Sequence, residues 1–189
     1  MADDVEPSLP QKVVAVDRAL TKARIPYAFG GALALAYYAE PRATVDIDVN
    51  VFVDVGRAAR VAAALKPLGV DPAWADDGRL AEAGQARTWW GRTPVDVFFA
   101  YDDFHEAMER DMRSVPFAGK FHIPVLGAEH LAACKVIFER PKDWLDLEQM
   151  LVAVRDFDVT EARRWIERIV GEGDSRLARF DAAVAEFRG

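Results

Sequence analysis

The segment from Val45 to Asp54 alternates β-branched hydrophobic residues with mostly polar ones, and this period of two is the strongest constraint on the fold. It predicts a β-strand with one buried face, because successive side chains of a strand point to opposite sides. Asp46 and Asp48 are two residues apart and share the other face. Like charges side by side repel unless a cation lies between them, and carboxylate oxygens suit Mg²⁺. The strand therefore predicts a metal site; the alternative is an edge-strand face whose carboxylates only aid solubility.

Gly30 and Gly31 precede this strand, between a predicted strand over 25–29 and a predicted helix over 32–39. A backbone without side chains lets a phosphate approach its N–H groups, and a following helix N-terminus adds the positive end of its dipole. Together, the glycine pair and the acidic strand predict a site for a metal-bound nucleoside triphosphate (NTP). A plain strand-to-helix turn also favours glycine, so the pair carries weight only through its position ahead of Asp46.

Composition narrows the class of protein. With 189 residues, 51% hydrophobic and 29% charged, the chain is typical of a soluble globular protein with a sizeable core. A net charge of −7 argues against a general nucleic-acid coat protein but is compatible with a local basic patch for RNA. Cys134 is the only cysteine, which excludes an intramolecular disulfide and a cysteine-based zinc site. The sequence has no 18-residue apolar run and no signal sequence, which predicts a cytoplasmic location and no membrane partner.

The order of the predicted elements divides the chain into three parts. Residues 1–10 are acidic and contain prolines, which predicts a loose lead-in. Residues 11–126 mix helices with short strands, and 127–189 carry helical patterns throughout. We therefore expect an α+β fold, with a short mixed sheet flanked by helices and a helical C-terminal region packed on the core.

Individual elements follow from periodicity and from turn residues. A β-hairpin is predicted for Arg87–Trp90 and Pro94–Phe99, with one of its two adjacent tryptophans in the core and one outside. A short strand is predicted over 121–126. The predicted helices, apart from 32–39, cover residues 11–24, 57–68, 102–112, 128–139, 143–154, 160–170 and 175–187.

At this point the residues resemble a known family. Three segments resemble the motifs of the nucleotidyltransferase superfamily, which has the DNA polymerase β-like fold. They are Phe29-Gly30-Gly31, Arg42-Ala43-Thr44 and Asp46-Ile47-Asp48-Val49. A third carboxylate on a neighbouring strand completes that signature, and Asp96 fits it. Two later parts of the chain, Lys135 and Arg140–Leu147, resemble the downstream motifs of abortive-infection-type nucleotidyltransferases. Those proteins include toxins of toxin–antitoxin systems. The resemblance covers roughly residues 25–150.

The resemblance implies transfer of a nucleoside monophosphate from an NTP such as ATP to an acceptor hydroxyl, with release of pyrophosphate. It implies that Asp46, Asp48 and Asp96 are the catalytic residues and hold two Mg²⁺ ions, with Asp96 as a candidate general base. The residues that it places around the nucleotide are Gly30, Gly31, Arg42, Thr44, Lys135, Asp143 and Asp146.

Several of these residues have a structural alternative. Asp96 fits the polar face of a hairpin, and Arg42 fits a surface arginine after a proline turn. Lys135 fits a lysine whose stem covers the edge of the core. Asp143 fits a helix N-cap, and Asp146 fits a partner of the helix dipole or of Lys142. Thr44 has two roles open, contact with a phosphate or support of the carboxylates.

The acceptor stays open at this level. A tRNA end, a protein side chain and a small molecule such as an aminoglycoside or lincosamide antibiotic are all compatible with the resemblance. An antibiotic nucleotidyltransferase and a non-catalytic nucleotide-binding module of the same fold are the alternative functions. The toxin resemblance also implies an antitoxin protein as partner, and the sequence sets no oligomeric state.

Overall fold

A computed structural model of the chain describes residues 6–188. Within them, the contacts separate two compact units. The first unit contains the chain up to Gly30 and Thr44–Val125, and the second contains Gly31–Ala43 and the chain from Leu126 onward. The change of unit at Val125–Leu126 lies next to the predicted boundary at 126/127. The grouping of Gly31–Ala43 with the C-terminal helices has no counterpart in the sequence pattern.

The first unit is built on a mixed six-stranded sheet, counted within the described residues. Its strands are β1 (Tyr27–Phe29), β2 (Ile47–Val51), β3 (Gln85–Trp90), β4 (Thr93–Phe99), β5 (Arg113–Phe117) and β6 (Phe121–Val125). Their order across the sheet is β3-β4-β2-β1-β6-β5. The pairs β1–β6 and β2–β4 are parallel, and the other pairs are antiparallel. The structure confirms the predicted α+β fold with a mixed sheet.

The helices that the structure describes are α1 (Leu9–Lys22), α2 (Gly31–Leu35), α3 (Ala58–Leu65), α4 (Leu80–Ala83), α5 (Asp103–Asp111), α6 (Ala128–Phe138), α7 (Pro141–Ala153), α8 (Val159–Val170) and α9 (Ser175–Arg188). Short 3-10 turns cover Val55–Arg57, Lys66–Leu68 and Ala73–Asp76. No helix in residues 6–188 is both long and apolar enough to cross a lipid bilayer.

Each unit has its own hydrophobic core. In the first, the strands contribute alternate residues to one face of the sheet, and α1 and α3 pack against each other. The fully buried strand residues include Ile47, Val49, Val51, Val95 and Val97. In the second unit, α6 contacts α2, α7, α8 and α9, and the helical C-terminal region is confirmed. Burial of these side chains is the main driving force for both cores.

One predicted strand and one predicted helix are shorter than expected, and one strand has no counterpart in the prediction. The strand predicted over 45–54 is shorter, because Val45 is exposed and Asp54 instead accepts a bond from the Gly56 amide that begins a 3-10 turn. The helix predicted over 32–39 ends at Leu35, after which the amides of Tyr37 and Tyr38 bond three residues back, in tighter turns. Strand β5 was not predicted, because it is a largely exposed edge strand that contains a proline.

The N-terminal segment also differs from the predicted loose lead-in. Residues 1–5 of it lie outside the described residues. From Glu6 onward the chain is held rather than loose, because the fully buried Lys12 needs a carboxylate partner and pairs with Glu6 at 2.5 Å. Glu6 also pairs with Arg92 at 3.2 Å, and α1 begins at Leu9.

Candidate active site

Two adjacent strands carry predicted site residues to neighbouring positions on one face of the sheet. Strands β2 and β4 run parallel, and their register places Asp48 directly beside Asp96. Both side chains are partly accessible, while the residues on either side of them are buried on the opposite face. Adjacent strands lie about 4.8 Å apart, so one cation is able to reach both carboxylates. The predicted placement of Asp96 on a strand neighbouring Asp48 is confirmed; its role in catalysis stays a prediction.

Asp46 lies one residue before β2 and is fixed by a local turn. Its backbone N–H donates a hydrogen bond to the Thr44 hydroxyl, with 3.2 Å between the two atoms. Hydroxyl-to-backbone bonds of this type set the direction in which the chain enters the next element. Of the two roles predicted for Thr44, this bond is compatible with support of the carboxylates, and contact with a phosphate also stays a prediction. We refer to Asp46, Asp48 and Asp96 together as the carboxylate cluster.

A guanidinium group contacts this cluster and was not among the predicted site residues. The Arg87 guanidinium on β3 binds both oxygens of Asp96, with Nε–Oδ1 and Nη2–Oδ2 distances of 2.8 and 2.7 Å. These bonds and the Asp96 charge raise the pKa of Arg87 above its ordinary value, and the charges of Asp46 and Asp48 add to the shift. Arg87 is therefore in the electrostatic field of all three carboxylates.

The composition of the carboxylate cluster fits a divalent cation. Counted at their formal charges, three carboxylates and one guanidinium leave a balance of two negative charges. Carboxylate oxygens are the ligands that Mg²⁺ prefers, and two of the three side chains come from facing positions of adjacent strands. Asp46, Asp48 and Asp96 are the residues that would hold such an ion.

The two glycines differ in what their backbones do. The Gly30 amide donates to the Asp48 carbonyl at 2.9 Å, so it is engaged in the sheet and not directed at a phosphate. Gly31 has a φ of +53°, a backbone conformation that favours glycine, and it begins α2. The prediction of a phosphate contact through the backbone therefore stays with Gly31. The bond from Gly30 instead fixes the backbone at Asp48.

The remaining predicted nucleotide contacts form a buried ion-pair network in the second unit. Lys135 Nζ lies 3.1 Å from Asp143 Oδ1 and 2.5 Å from Asp146 Oδ2. Arg42 binds both oxygens of Asp146 at 3.0 and 3.1 Å, and Arg140 Nε lies 2.6 Å from Asp143 Oδ2. Burial acts to raise the pKa of Asp143, but hydrogen bonds and charge from Arg140 and Lys135 outweigh it and hold that pKa below its ordinary value. We call these five residues the ion-pair network.

The network corrects the structural alternatives that the sequence left open. Lys135 does not cover the edge of the core with an exposed amine, because its side chain is only 4% exposed. Asp143 is not the N-cap of α7; it lies three residues after Arg140 and accepts a bond from the Arg140 amide at 3.2 Å. Asp146 pairs with Lys135 and Arg42, and not with Lys142, which was its predicted partner. Whether the network contacts a nucleotide stays a prediction.

Two residues of β3 belong to the site face but are absent from the predicted set. In the β3–β4 hairpin, Arg87 pairs with Asp96 and Trp89 with Pro94, so both side chains share the face of the carboxylate cluster. Trp89 is 51% exposed, as predicted for one of the two tryptophans, whereas Trp90 is half-buried under Lys12 and does not reach the core that was predicted for the other. The signal for Arg87 is available in the sequence: a two-residue turn at Gly91-Arg92 fixes the register and places Arg87 opposite Asp96.

Two solved structures share the fold of this chain. The solution structure of the antibiotic-resistance factor ANT(2'')-Ia is 14% identical, with a TM-score of 0.59, over 95% of this chain and 96% of that one. A crystal structure of ANT(2'')-Ia in complex with adenylyl-2''-tobramycin is 16% identical, with a TM-score of 0.53 and the same coverage. At these identities the similarity establishes a shared fold. No curated protein sequence matches the chain at a significant level.

A family model identifies the chain more directly. The model of the nucleotidyl transferase AbiEii toxin of type IV toxin–antitoxin systems matches residues 15–186. This range includes the carboxylate cluster, the glycine pair and the whole ion-pair network, and it extends beyond the part of the chain that carries the resemblance. The match confirms that resemblance, and the protein belongs to the AbiEii family of nucleotidyltransferases.

Proposed function

We propose that the protein uses its carboxylate cluster to transfer a nucleoside monophosphate from an NTP to an acceptor hydroxyl in a Mg²⁺-dependent reaction. The acceptor oxygen attacks the α-phosphorus, the bond from that phosphorus to the bridging oxygen breaks, and pyrophosphate leaves. The observation that carries the proposal is the register of Asp48 beside Asp96, with Asp46 two residues from Asp48. A surplus of negative charge at one point of a fold is costly unless a cation offsets it.

The three carboxylates have different tasks in this proposal. Divalent cations, when bound, supply charge neutralisation at the triphosphate and lower the pKa of the attacking hydroxyl. Asp46 and Asp48 would hold the cation on the side of the triphosphate. Asp96, on the adjacent strand, faces the acceptor and is the candidate to receive its proton. Thr44 and Gly30 fix the backbone of the two β2-side carboxylates through their hydrogen bonds.

The face also offers a surface for a planar group. Trp89 is exposed two residues from Arg87, on the same side of the sheet as Asp96. Exposed aromatic rings stack on nucleobases and other rings, and an arginine beside them adds positive charge. This supports an acceptor or NTP with a ring near the reacting hydroxyl, and it leaves the three acceptor classes as arms of the experiment.

Labelled NTPs test the proposal. We would incubate the protein with Mg²⁺ and each α-labelled NTP, together with small RNA, cell protein or a panel of antibiotics. Transfer of label to one acceptor class, lost in Asp96→Asn and retained in Asp76→Asn, would support it. Asp76 is an exposed aspartate of a 3-10 turn in the same unit, so it controls for the loss of one charge. No transfer by the folded protein to any arm, and no Mg²⁺-dependent NTP binding, would favour the non-catalytic binding module.

We further propose that the protein acts as a toxin with an antitoxin as its partner. The family description, a toxin of type IV toxin–antitoxin systems, supports this role. Induced expression in a bacterial host would then arrest growth, and Asp48→Asn, which removes a proposed cation ligand, would not. An antibiotic nucleotidyltransferase would instead leave growth unaffected and raise resistance to one antibiotic of the panel.

A further inference from the structure

The bond between Arg87 and Asp96 has no role in the proposed transfer reaction. Both Asp96 oxygens accept from the guanidinium, at 2.8 and 2.7 Å. A forked arginine–carboxylate pair is stronger than a single charged hydrogen bond, and it occupies the oxygens that a metal ion needs. The guanidinium also puts a positive charge at the position where a cation would approach.

We propose that Arg87 is an exchangeable counterion for Asp96, which competes with the divalent cation and leaves the carboxylate when the cation binds. This rests on the proposed function, because it takes Asp96 as a cation ligand. In the cation-free protein, Arg87 offsets part of the repulsion among the three carboxylates. The affinity for a cation alone is therefore lower than three carboxylates by themselves would give.

The surroundings of the pair favour exchange over permanent pairing. The Arg87 side chain is 56% exposed on β3, an edge strand of the sheet, so water is available to solvate the guanidinium once it leaves. Asp96 is only 15% exposed and belongs to β4, which pairs with strands on both sides. The arginine is thus the partner that moves, while the carboxylate stays in place. The exchange leaves Asp96 with a partner, because the arriving cation takes the place of the guanidinium, so no buried charge is left without compensation.

The released guanidinium has a natural second partner in the reaction. Its planar fork matches two phosphate oxygens as well as it matches a carboxylate. A triphosphate that arrives with the cation therefore replaces Asp96 as the partner of Arg87. The cation and the NTP therefore each raise the binding affinity for the other. A cation that binds alone displaces Arg87 without offering it a phosphate partner.

Binding of Mn²⁺ to the NTP-free protein tests the competition. We would measure it by electron paramagnetic resonance of the free ion for the wild type, Arg87→Gln, Arg87→Lys and Arg113→Gln. Arg87→Gln is expected to bind Mn²⁺ about tenfold more tightly, because the competing fork is gone. Arg87→Lys keeps the charge without the fork and is expected to tighten binding less. Arg113 is an exposed arginine on β5, the opposite edge of the sheet, and its change is expected to alter affinity by less than about twofold.

The Asp96→Asn background separates the two proposals. If Arg87 acts mainly through Asp96, Arg87→Gln tightens Mn²⁺ binding much less once residue 96 is asparagine, because only the longer-range charge of Arg87 is then removed. Unchanged or weaker binding in Arg87→Gln, combined with weaker binding in Asp96→Asn, would overturn the counterion and leave the proposed cation site standing. Mn²⁺ binding that neither Asp48→Asn nor Asp96→Asn alters would overturn both.

Discussion

The ion-pair network and the carboxylate cluster differ in net charge and in burial. The ion-pair network of the second unit sets three cations against two carboxylates, and Lys135, Asp143 and Asp146 are at most 5% exposed. The carboxylate cluster of the first unit sets three carboxylates against Arg87, which is more than half exposed. Every charged group of the network has an oppositely charged partner within 3.1 Å, whereas the cluster, counted at formal charges, carries an excess of negative charge.

The difference indicates which charges support the fold and which are available for chemistry. Buried ions are tolerated when their partners satisfy them, and the loss of one partner is then expensive. Carboxylates collected at an accessible face without enough cations instead cost stability and are retained for another reason. Removal of a charge should therefore stabilise or spare the fold at the cluster and damage it at the network.

The largest effect is expected when the cluster loses a carboxylate. Asp48→Asn should lower the transfer rate about a thousandfold or more, equivalent to about 4 kcal/mol in the activation free energy, because a cation ligand at the reacting phosphate is lost. The thermal midpoint of Asp46→Asn should equal or exceed that of the wild type, because one of three neighbouring like charges is removed. Labelled NTP turnover and thermal unfolding measure the two quantities. A lowered midpoint would contradict the assignment of the cluster to chemistry.

The next effect is on stability, at the network. Lys135→Met should lower the free energy of unfolding by about 3 kcal/mol, because Asp143 and Asp146 stay buried with their shared cation gone. Urea unfolding measures it, with Lys142→Met as the control, since Lys142 is an exposed lysine on α7, the helix that carries Asp143 and Asp146. If the two variants are equally stable, the network does not hold the fold. If Lys135→Met is stable but binds NTP weakly, the predicted nucleotide contact of Lys135 gains support.

Acid should weaken the network in a defined pH window. The folded-state pKa of Asp143 lies below its ordinary value of 3.8, so the folded protein binds fewer protons there than the unfolded chain. The contribution of Asp143 to stability is therefore complete above pH 3.8 and is lost as the pH falls through the folded-state pKa. Urea midpoints measured from pH 6 downward should decline over this range. The urea midpoint of Asp143→Asn should be lower at pH 6 and should decline less steeply as the pH falls. An equally steep decline would mean that other acidic groups cause it.

The carboxylate cluster was predictable from the sequence to a greater extent than the network. Strand periodicity placed Asp46 and Asp48 on one face, and the hairpin pattern placed Asp96 on a strand, because both patterns are local. That this strand neighbours the strand of Asp48 was implied by the family resemblance alone. The partner of Asp146 is Arg42, more than a hundred positions earlier, and no local periodicity specifies a contact across that separation. Arg87 is intermediate, because it follows from the register of a hairpin whose strands were predicted but whose pairing was not worked out.

The smallest effect concerns the position of one carboxylate. Thr44→Val should lower kcat about fivefold, because the bond from the Asp46 amide to the Thr44 hydroxyl is lost and the direction of the Asp46 side chain becomes less well defined. The free energy of unfolding should fall by only about 1 kcal/mol, the ordinary contribution of one hydrogen bond. Thr44→Ser keeps the hydroxyl and is the matched control, so its kcat should stay close to that of the wild type. If Thr44→Val instead raises the KM for NTP and leaves kcat unchanged, the hydroxyl of Thr44 contacts a phosphate and does not position Asp46.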